Sequence, residues 1–539
     1  MKTPRLCALC TLLLLHACGG GGASNSTPGT TLNSGTTTGT TTGTTTGTTT
    51  GTTTGTTTGT TTGTTSSSTV ADNTLSGTIS DLQGAPVAGV NVSLFHHNDN
   101  STISTTTDVN GKYSFPNPSF GQNADFALYA EKSGFGFVPA ISNSAAIATK
   151  FDFNGLYRTV IRFQTLPTGH VTGANFSALR AGDKLVSVPR TGQSNSYAAG
   201  DDGLVKQGVG WPVKRFKDNA DGTVTDQLTG LIWLKNASCF PASVWQTALT
   251  NANQLAHGQC GLSDGSSAGQ WRMPNINELE SLVDVSQHSP AISADSGITN
   301  VVLNTAYWSS TTYTAGPSNA MSIRFSDGRW INGAESGSPQ FDNVKASSNN
   351  MLIAVKNGTT GSVKLMATGV FSGPGGNSYG SGDDANLRLG VQFPYPRFVD
   401  NANGTVSDTL TGLTWLKQAD CINQNWNDAL ATVNALSNGK CGLTDGSSAG
   451  QWRMPNRAEM LSLSDRAPTF PQASYFNGQY QANTSINGPI IFSRFVVSVF
   501  YWTSSTSIGD VTQAWTVYSC DFGVYNAPKT NLSYALAVR

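Results

Sequence analysis

A long segment that occurs twice constrains this chain more than any other feature. Arg215-Phe-Lys-Asp-Asn-Ala-Asp-Gly-Thr-Val-Thr-Asp-Gln-Leu-Thr-Gly-Leu-Ile-Trp-Leu-Lys235 returns with few changes at Arg397–Lys417. Cys260–Asn275, with its Gln-Trp-Arg-Met-Pro-Asn ending, returns at Cys441–Asn456, and Tyr307-Trp-Ser-Ser-Thr311 returns as Tyr501-Trp-Thr-Ser-Ser505. Even the lead-in recurs, as Ser196–Asp202 and Ser378–Asp384. Self-similarity of this kind marks a duplicated structural unit. We set the units at 186–358 and 362–539, with a longer insertion in the second between Asp465 and Tyr501.

The residues before the repeats divide into three parts. Residues 1–17 read as a secretory signal: Lys2 and Arg5 precede the apolar run Leu6–Leu15, which is too short to span a bilayer. Leu15-His16-Ala17-Cys18 resembles a bacterial lipobox, which implies lipidation of Cys18. Gly19 after the cysteine points, by the same resemblance, to the outer membrane. Several acyl chains anchor stably where one would not. Residues 18–73 are built on Gly-Thr-Thr-Thr and hold nothing that could form a core, so they read as a disordered tether.

From Thr74 to about residue 180 short alternating strands are separated by turn signals, which predicts an all-β sandwich. The strands are read at Leu75–Ile79, Val90–Leu94, Lys112–Phe115, Ala127–Ala130 and Gly173–Phe176. Asn110-Gly111 reads as a two-residue hairpin turn. The series Ser76-Gly-Thr-Ile79, Gly84-Ala-Pro-Val-Ala-Gly89 and Thr107-Asp-Val-Asn-Gly-Lys-Tyr-Ser-Phe115 resembles the carboxypeptidase regulatory-like domain family. That resemblance implies a rigid spacer without catalytic residues.

Each repeat reads as α+β. A hairpin at Phe216–Thr225 leads to a strand at Leu231–Leu234. Trp245, Ala248, Leu249, Ala252, Leu255 and Ala256 share one helix face, closed by Gly258. Trp426, Ala429, Leu430, Val433 and Leu436 do the same, closed by Gly439. Asn275 with Glu278, and Asn456 with Glu459, are capping boxes that start a second helix. Arg272 and Arg453 are placed to brace those helix starts. Of the 8 cysteines, the repeat pairs Cys239 with Cys260 and Cys421 with Cys441, as expected for an exported chain. Cys520 aligns with Ser326 and is left as a buried thiol or an intermolecular link.

The repeated motifs look like the C-terminal domain family of the Legionella collagen-like adhesin, over most of residues 186–539. The resemblance implies attachment at a cell surface, and in the adhesin that names the family the domain binds sulfated glycosaminoglycans. The Trp-Arg-x-Pro helix start also resembles the formylglycine-generating, sulfatase-modifying enzymes, which implies a C-type-lectin-like fold for each repeat. The collagen repeats of the adhesin are absent here.

Charge narrows the ligand. Lys+Arg number 31 against Asp+Glu 32, and charged residues are only 12% of the chain. This excludes a nucleic-acid binder of the usual basic kind. It also provides no cationic cluster for a polysulfated chain, so a neutral glycan, a matrix ligand on the host surface or a protein partner is expected.

Asp218, Asp221 and Asp226, with Asp400 and Asp408 in the second repeat, lie at a spacing loosely like a calcium loop, to which Asp201-Asp202 and Asp383-Asp384 would add oxygens. The loop lacks the bidentate Glu of an EF-hand, and Asp-Gly and Asn-Gly favour tight turns instead. No other cofactor is expected.

Motif tryptophans such as Trp233, Trp271 and Trp308 are expected in the core. Ligand contacts are expected where the repeats differ: Arg324, Arg329 and Trp330 in the first, Tyr518, Phe522 and Tyr525 in the second. Three functions compete: an adhesin-like binder, an envelope scaffold that holds a protein, and a formylglycine-generating-type enzyme dependent on Cys520. The scattered histidines and the absence of a nucleophile motif weigh against the third.

Overall fold

The sandwich predicted from strand alternation is present, as two five-stranded sheets. One runs Lys112–Pro116, Thr74–Asp81, Phe176–Leu179, Gly136–Pro139, with His170–Val171 also paired to Thr74–Asp81. The other runs Ser101–Thr106, Asn91–His96, Phe126–Glu131, Leu156–Phe163, Ile147–Phe153. Alternation works as expected: Leu75 and Ile79 face the core from one strand, Tyr113 and Phe115 from the next.

The Asn110-Gly111 turn closes locally, but it does not join a paired hairpin. Ser101–Thr106 pairs with Asn91–His96, whereas Lys112–Pro116 pairs with Thr74–Asp81. The Asp108 carboxylate accepts the amides of Asn110 and Lys112, at 2.9 and 2.8 Å, and tightens the turn on itself. Gly111 then lies against the carbonyl of Ile79, where an added Cβ would sit at 2.3 Å. The chain is thereby passed from one sheet to the other.

The computed structural model describes residues 74–116, 125–142, 146–153, 156–163, 169–314, 316–331, 343–371, 380–466, 492–493, 496, 499–519 and 522–539. Cys18, the tether and Cys520 lie outside the described residues. The described residues fall in one compact unit, Asp72–Arg539. Among them no helix is long and apolar enough to cross a membrane.

Each repeat is α+β with a predominance of strand. The first has a sheet of Phe216–Asp218, Thr223–Asp226, Leu231–Leu234 and Val355–Asn357, and a second of Ala306–Thr312, Ala320–Arg324 and Arg329–Ile331. The second has Phe398–Asp400, Thr405–Asp408 and Thr414–Leu416. Its other sheet runs Asn423–Gln424, Ser533–Ala535, Phe500–Thr506, Gln513–Tyr518, Val524–Pro528.

The amphipathic helices are Trp245–Gln254 and Trp426–Asn434. They end before Gly258 and Gly439; Leu255 and Ala435 already cap them, and each glycine instead donates to a carbonyl four residues on, at Leu262 and Leu443. The second helices, Ile276–Glu280 and Arg457–Ser462, begin with complete capping boxes. Arg272 and Arg453 grip the box glutamates Glu278 and Glu459 through both oxygens. Disulfides join Cys239 to Cys260 and Cys421 to Cys441, with Cα atoms 5.6 and 5.7 Å apart.

The repeats do not sit as separate beads. Each keeps a small core of its own around its amphipathic helix. A third core is shared: Trp233, Ile323 and Trp330 of the first repeat and Trp415, Trp515 and Leu536 of the second belong to one buried cluster.

The lead-ins are exchanged. The amides of Leu185 and Val186, at the start of the first repeat, both donate to the carbonyl of Leu410 in the second, at 2.9 and 3.0 Å. Reciprocally, the amide of Val363 donates to the carbonyl of Leu228, at 2.8 Å. The sandwich is seated on the second repeat, where Phe137 and Tyr395 exchange backbone hydrogen bonds of 2.9 and 2.7 Å.

Candidate functional site

The site is built where the two capped helices meet, and there the repeats differ. Position one of the helix is Ile276 in the first repeat and Arg457 in the second; position five is Glu280 in the first and Leu461 in the second. Arg457 is 1% exposed and reaches across to Glu280, donating through Nε and Nη2 at 2.9 and 2.8 Å. It also donates to the carbonyl of Gly328, at 2.6 Å. Glu280 accepts a third bond, from the indole of Trp330, at 2.5 Å. Ile276 and Leu461, the residues in the reciprocal positions, both lie in the shared core.

Beside this ion pair is a cavity of about 110 Å³, lined from both repeats and both lead-ins. Val186, Val188, Val283, Leu365 and Leu461 make it largely apolar, and Asn277, Arg215, Glu280 and Arg457 add polar groups. Arg215 is neutralised by Asp226, which it holds through Nε and Nη2 at 2.9 and 2.8 Å. Its guanidinium lies 4.3 Å from the ring of Trp211. Trp211 lines the cavity, and its indole donates to the carbonyl of Arg190, at 2.8 Å. Of the chain's 11 tryptophans, the other ten are buried and Trp211 keeps an exposed part. Arg190 and Lys364, both exposed, stand at the same cavity. At about 110 Å³ the cavity is smaller than the usual enclosed ligand pocket of roughly 300–1,000 Å³, so what it offers a ligand is its rim, where Trp211 is partly exposed.

Sequence reasoning did not select Trp211. The signal was available: Trp211-Pro-Val-Lys214 and Phe393-Pro-Tyr-Pro396 are the same stretch in the two repeats, just ahead of the repeated Arg-Phe. In the second repeat Phe393 is buried, and its carbonyl accepts from Thr159 of the sandwich, at 2.6 Å. In the first repeat Val213 is fully exposed.

The residues chosen for their differences occupy the joint and the core. Arg324 pairs with Asp327, and Arg329 donates to Asn526 of the second repeat. Trp330 is 1% exposed and lies under the guanidinium of Arg466, at 4.5 Å. Tyr518 is buried and Tyr525 partly buried; both pack on Phe500, with centroids 5.0 and 5.7 Å away. Phe522 is 0% exposed and belongs to the shared core. Tyr518 and Phe522 thus pack against protein, whereas Trp330, though buried, contributes to the lining of the cavity between the repeats.

The aspartates read as a loose calcium loop are occupied as turn and ion-pair acceptors. Asp221 accepts the amide and hydroxyl of Thr223, at 3.0 and 2.6 Å, and Asn403 does the same for Thr405 without a charge. Asp226 and Asp408 are buried under Arg215 and Arg397. Asp218 and Asp400 pair with Lys235 and Lys417. Asp201 and Asp383 cap short helices. Among the described residues no group of three or more His, Cys, Asp or Glu is placed to hold a metal ion. The motif tryptophans are core, with satisfied indoles at Trp245, Trp271 and Trp308.

Residues 222–345 and 404–539 match the Lcl C-terminal domain family, and residues 74–138 match the carboxypeptidase regulatory-like domain family. No curated protein shows significant similarity to the chain. Among solved structures, the crystal structure of invasin, a bacterial integrin-binding protein, shares 12% identity across 86% of this chain and 94% of its own. The TM-score is 0.13, and a superposition that poor carries no argument.

Proposed function

On the premise that this chain carries two Lcl C-terminal domains behind a carboxypeptidase regulatory-like domain, we propose that it is a lipid-anchored, adhesin-like surface protein without catalytic activity. Cys18 carries the lipid, the outer membrane is the anchor, and residues 18–73 are the tether. The two lectin-like repeats act as one binding head. The ligand is an extracellular glycan that rests on Trp211 at the rim of the cavity between the repeats. The observation that carries this reading is Trp211: it is the tryptophan left partly exposed, and it borders a cavity to which both repeats contribute.

The test is a glycan panel probed with the lipid-free chain, beside the Trp211→Ala variant. Loss of binding with an unchanged melting temperature supports the reading. Binding that survives the substitution removes Trp211 from the site, and silence of the wild-type chain across the panel removes the glycan.

A second reading, an envelope scaffold, is favoured by one observation. The stretch equivalent to Trp211–Val213 is already a protein-binding surface in the second repeat, where the sandwich covers it. Capture of a protein from native envelope by the wild-type chain, lost in Val213→Asp, would favour it over the glycan.

A further inference from the structure

We infer that Asp202 and Asp384 are twin latches that close the joint between the repeats when protonated and loosen it when ionised. This reading does not rest on the identity of the ligand.

The two aspartates occupy matching places in the exchanged lead-ins, and 3% and 2% of their surface is exposed. Asp202 accepts from Thr191 of its own lead-in, at 2.6 Å, and from Ser505 of the second repeat, at 2.6 Å. Asp384 accepts from Thr368, at 2.6 Å, and from Thr311 of the first repeat, at 2.7 Å. The bridging hydroxyls are fixed from behind. Thr311 accepts the first amide of helix Ile276–Glu280, at 3.0 Å, and Ser505 that of helix Arg457–Ser462, at 3.1 Å. Each latch therefore ties one lead-in to the capped helix of the other repeat and to the strand that carries its Trp-Ser-Ser or Trp-Thr-Ser-Ser motif. This assigns a task to three repeated motifs at once: the Asp-Asp of the lead-in, the Pro-Asn helix start and the Trp-Ser-Ser strand.

The surroundings offer the charge no partner. Among the described residues no lysine or arginine forms an ion pair with Asp202 or Asp384. The nearby carboxylates are Asp201 and Glu459 at one latch, Asp383 and Glu278 at the other. Glu459 and Glu278 are already held by Arg453 and Arg272. Lys529 and Lys345 face Asp201 and Asp383, and they donate to Thr506 and Thr312 rather than to the latches. Burial consequently pushes Asp202 up to about 6 and Asp384 up to about 7, against the pull of their hydroxyl donors.

The sign follows from linkage. Both groups hold their protons more tightly in the native state than in the unfolded chain. The native state is favoured most below the unfolded value of 3.8, and that advantage is lost as pH rises to about 7. Between pH 5 and pH 8 the unfolding constant should rise by roughly 10-fold through Asp202 and roughly 100-fold through Asp384.

The experiment is urea unfolding of the lipid-free chain at pH 5 and pH 8 and constant ionic strength. It compares wild type with Asp202→Asn, Asp384→Asn and the double variant. Asparagine keeps an oxygen for both hydroxyls and cannot ionise. We expect the wild type to be less stable at pH 8, each single variant to lose its share of that difference, and the double variant to lose both. A double variant whose pH profile superimposes on wild type overturns the inference, even if it is uniformly less stable. Should the double variant fail to fold, the infrared band of protonated carboxyl in the wild-type chain decides. Loss of that band between pH 5 and pH 8 supports the latches, and its absence at pH 5 overturns them.

Discussion

The Arg457–Glu280 pair permits a sharp energetic test, because the molecule contains its own apolar control. Replacing Glu280 by Leu leaves a guanidinium that is 1% exposed without its carboxylate. It also removes the acceptor of the Trp330 indole. Breaking one side of a buried pair costs about 3–5 kcal/mol, and an orphaned indole donor adds about 1–3 kcal/mol. Glu280→Leu alone is therefore expected to destabilise by about 4 kcal/mol or more. Arg457→Ile alone strands Glu280, which is less buried at 19% side-chain exposure, and should cost less.

The double variant rebuilds at this crossing the Ile-with-Leu combination found at Ile276 and Leu461. Buried pairs replaced by apolar groups are often neutral in stability. Some loss remains, because Arg457 also stacks on Trp515, at 4.5 Å, and isoleucine fills less space. We expect a coupling energy of at least about 2 kcal/mol in a double-mutant cycle read by urea unfolding. Additive single effects, or a Glu280→Leu cost below about 1 kcal/mol, would refute the view that the pair is buried and mutually dependent.

Acrylamide should quench only the Trp211 share of the fluorescence, since the other ten tryptophans are buried; a ligand in the cavity should suppress that quenching, and Trp211→Phe should abolish it. Asp221→Asn should change stability by less than about 0.5 kcal/mol, and a chelator should not shift the melting temperature, because Asn403 already performs the same turn without charge. Replacing Cys239 and Cys260 together by Ser should cost about 3 kcal/mol in thermal or urea unfolding; the Cys421 and Cys441 pair, with a separation of 20 against 21, should cost a similar amount.

Features decided within a few residues were legible in the sequence. The Asn275-to-Glu278 and Asn456-to-Glu459 boxes, the Asp-Gly and Asn-Gly turns of the repeats, four of the five sandwich strands and the disulfides all rest on local geometry, and each is present; the strand expected at Gly173–Phe176 instead runs Phe176–Leu179. Helix ends were misplaced because Gly258 and Gly439 mark the turn after the helix rather than its last residue. The hairpin at Asn110-Gly111 was misread because local turn chemistry does not reveal which sheet receives the next strand. The site was harder still. Tyr518 and Phe522 differ between repeats for a packing reason, and a one-dimensional comparison cannot separate that from a ligand reason.

The exchange of lead-ins explains why both kinds of misreading concentrate in one place. A duplicated domain that packs on its twin uses the same motif residues twice to build the joint, so the strongest repeats in sequence mark a structural contact. Asp202 and Asp384 show this, since a repeated Asp-Asp reads as metal chemistry until Ser505 and Thr311 are found opposite. The departures from symmetry then divide into two groups. Arg457 with Glu280, and Trp330, complete the joint asymmetrically. The Trp211 stretch differs because its counterpart at Phe393–Tyr395 is covered by the sandwich. A residue that departs from its twin and still faces solvent is therefore the better guide to function here, and Trp211 and Val213 satisfy both conditions where Trp330 and Phe522 satisfy only the first.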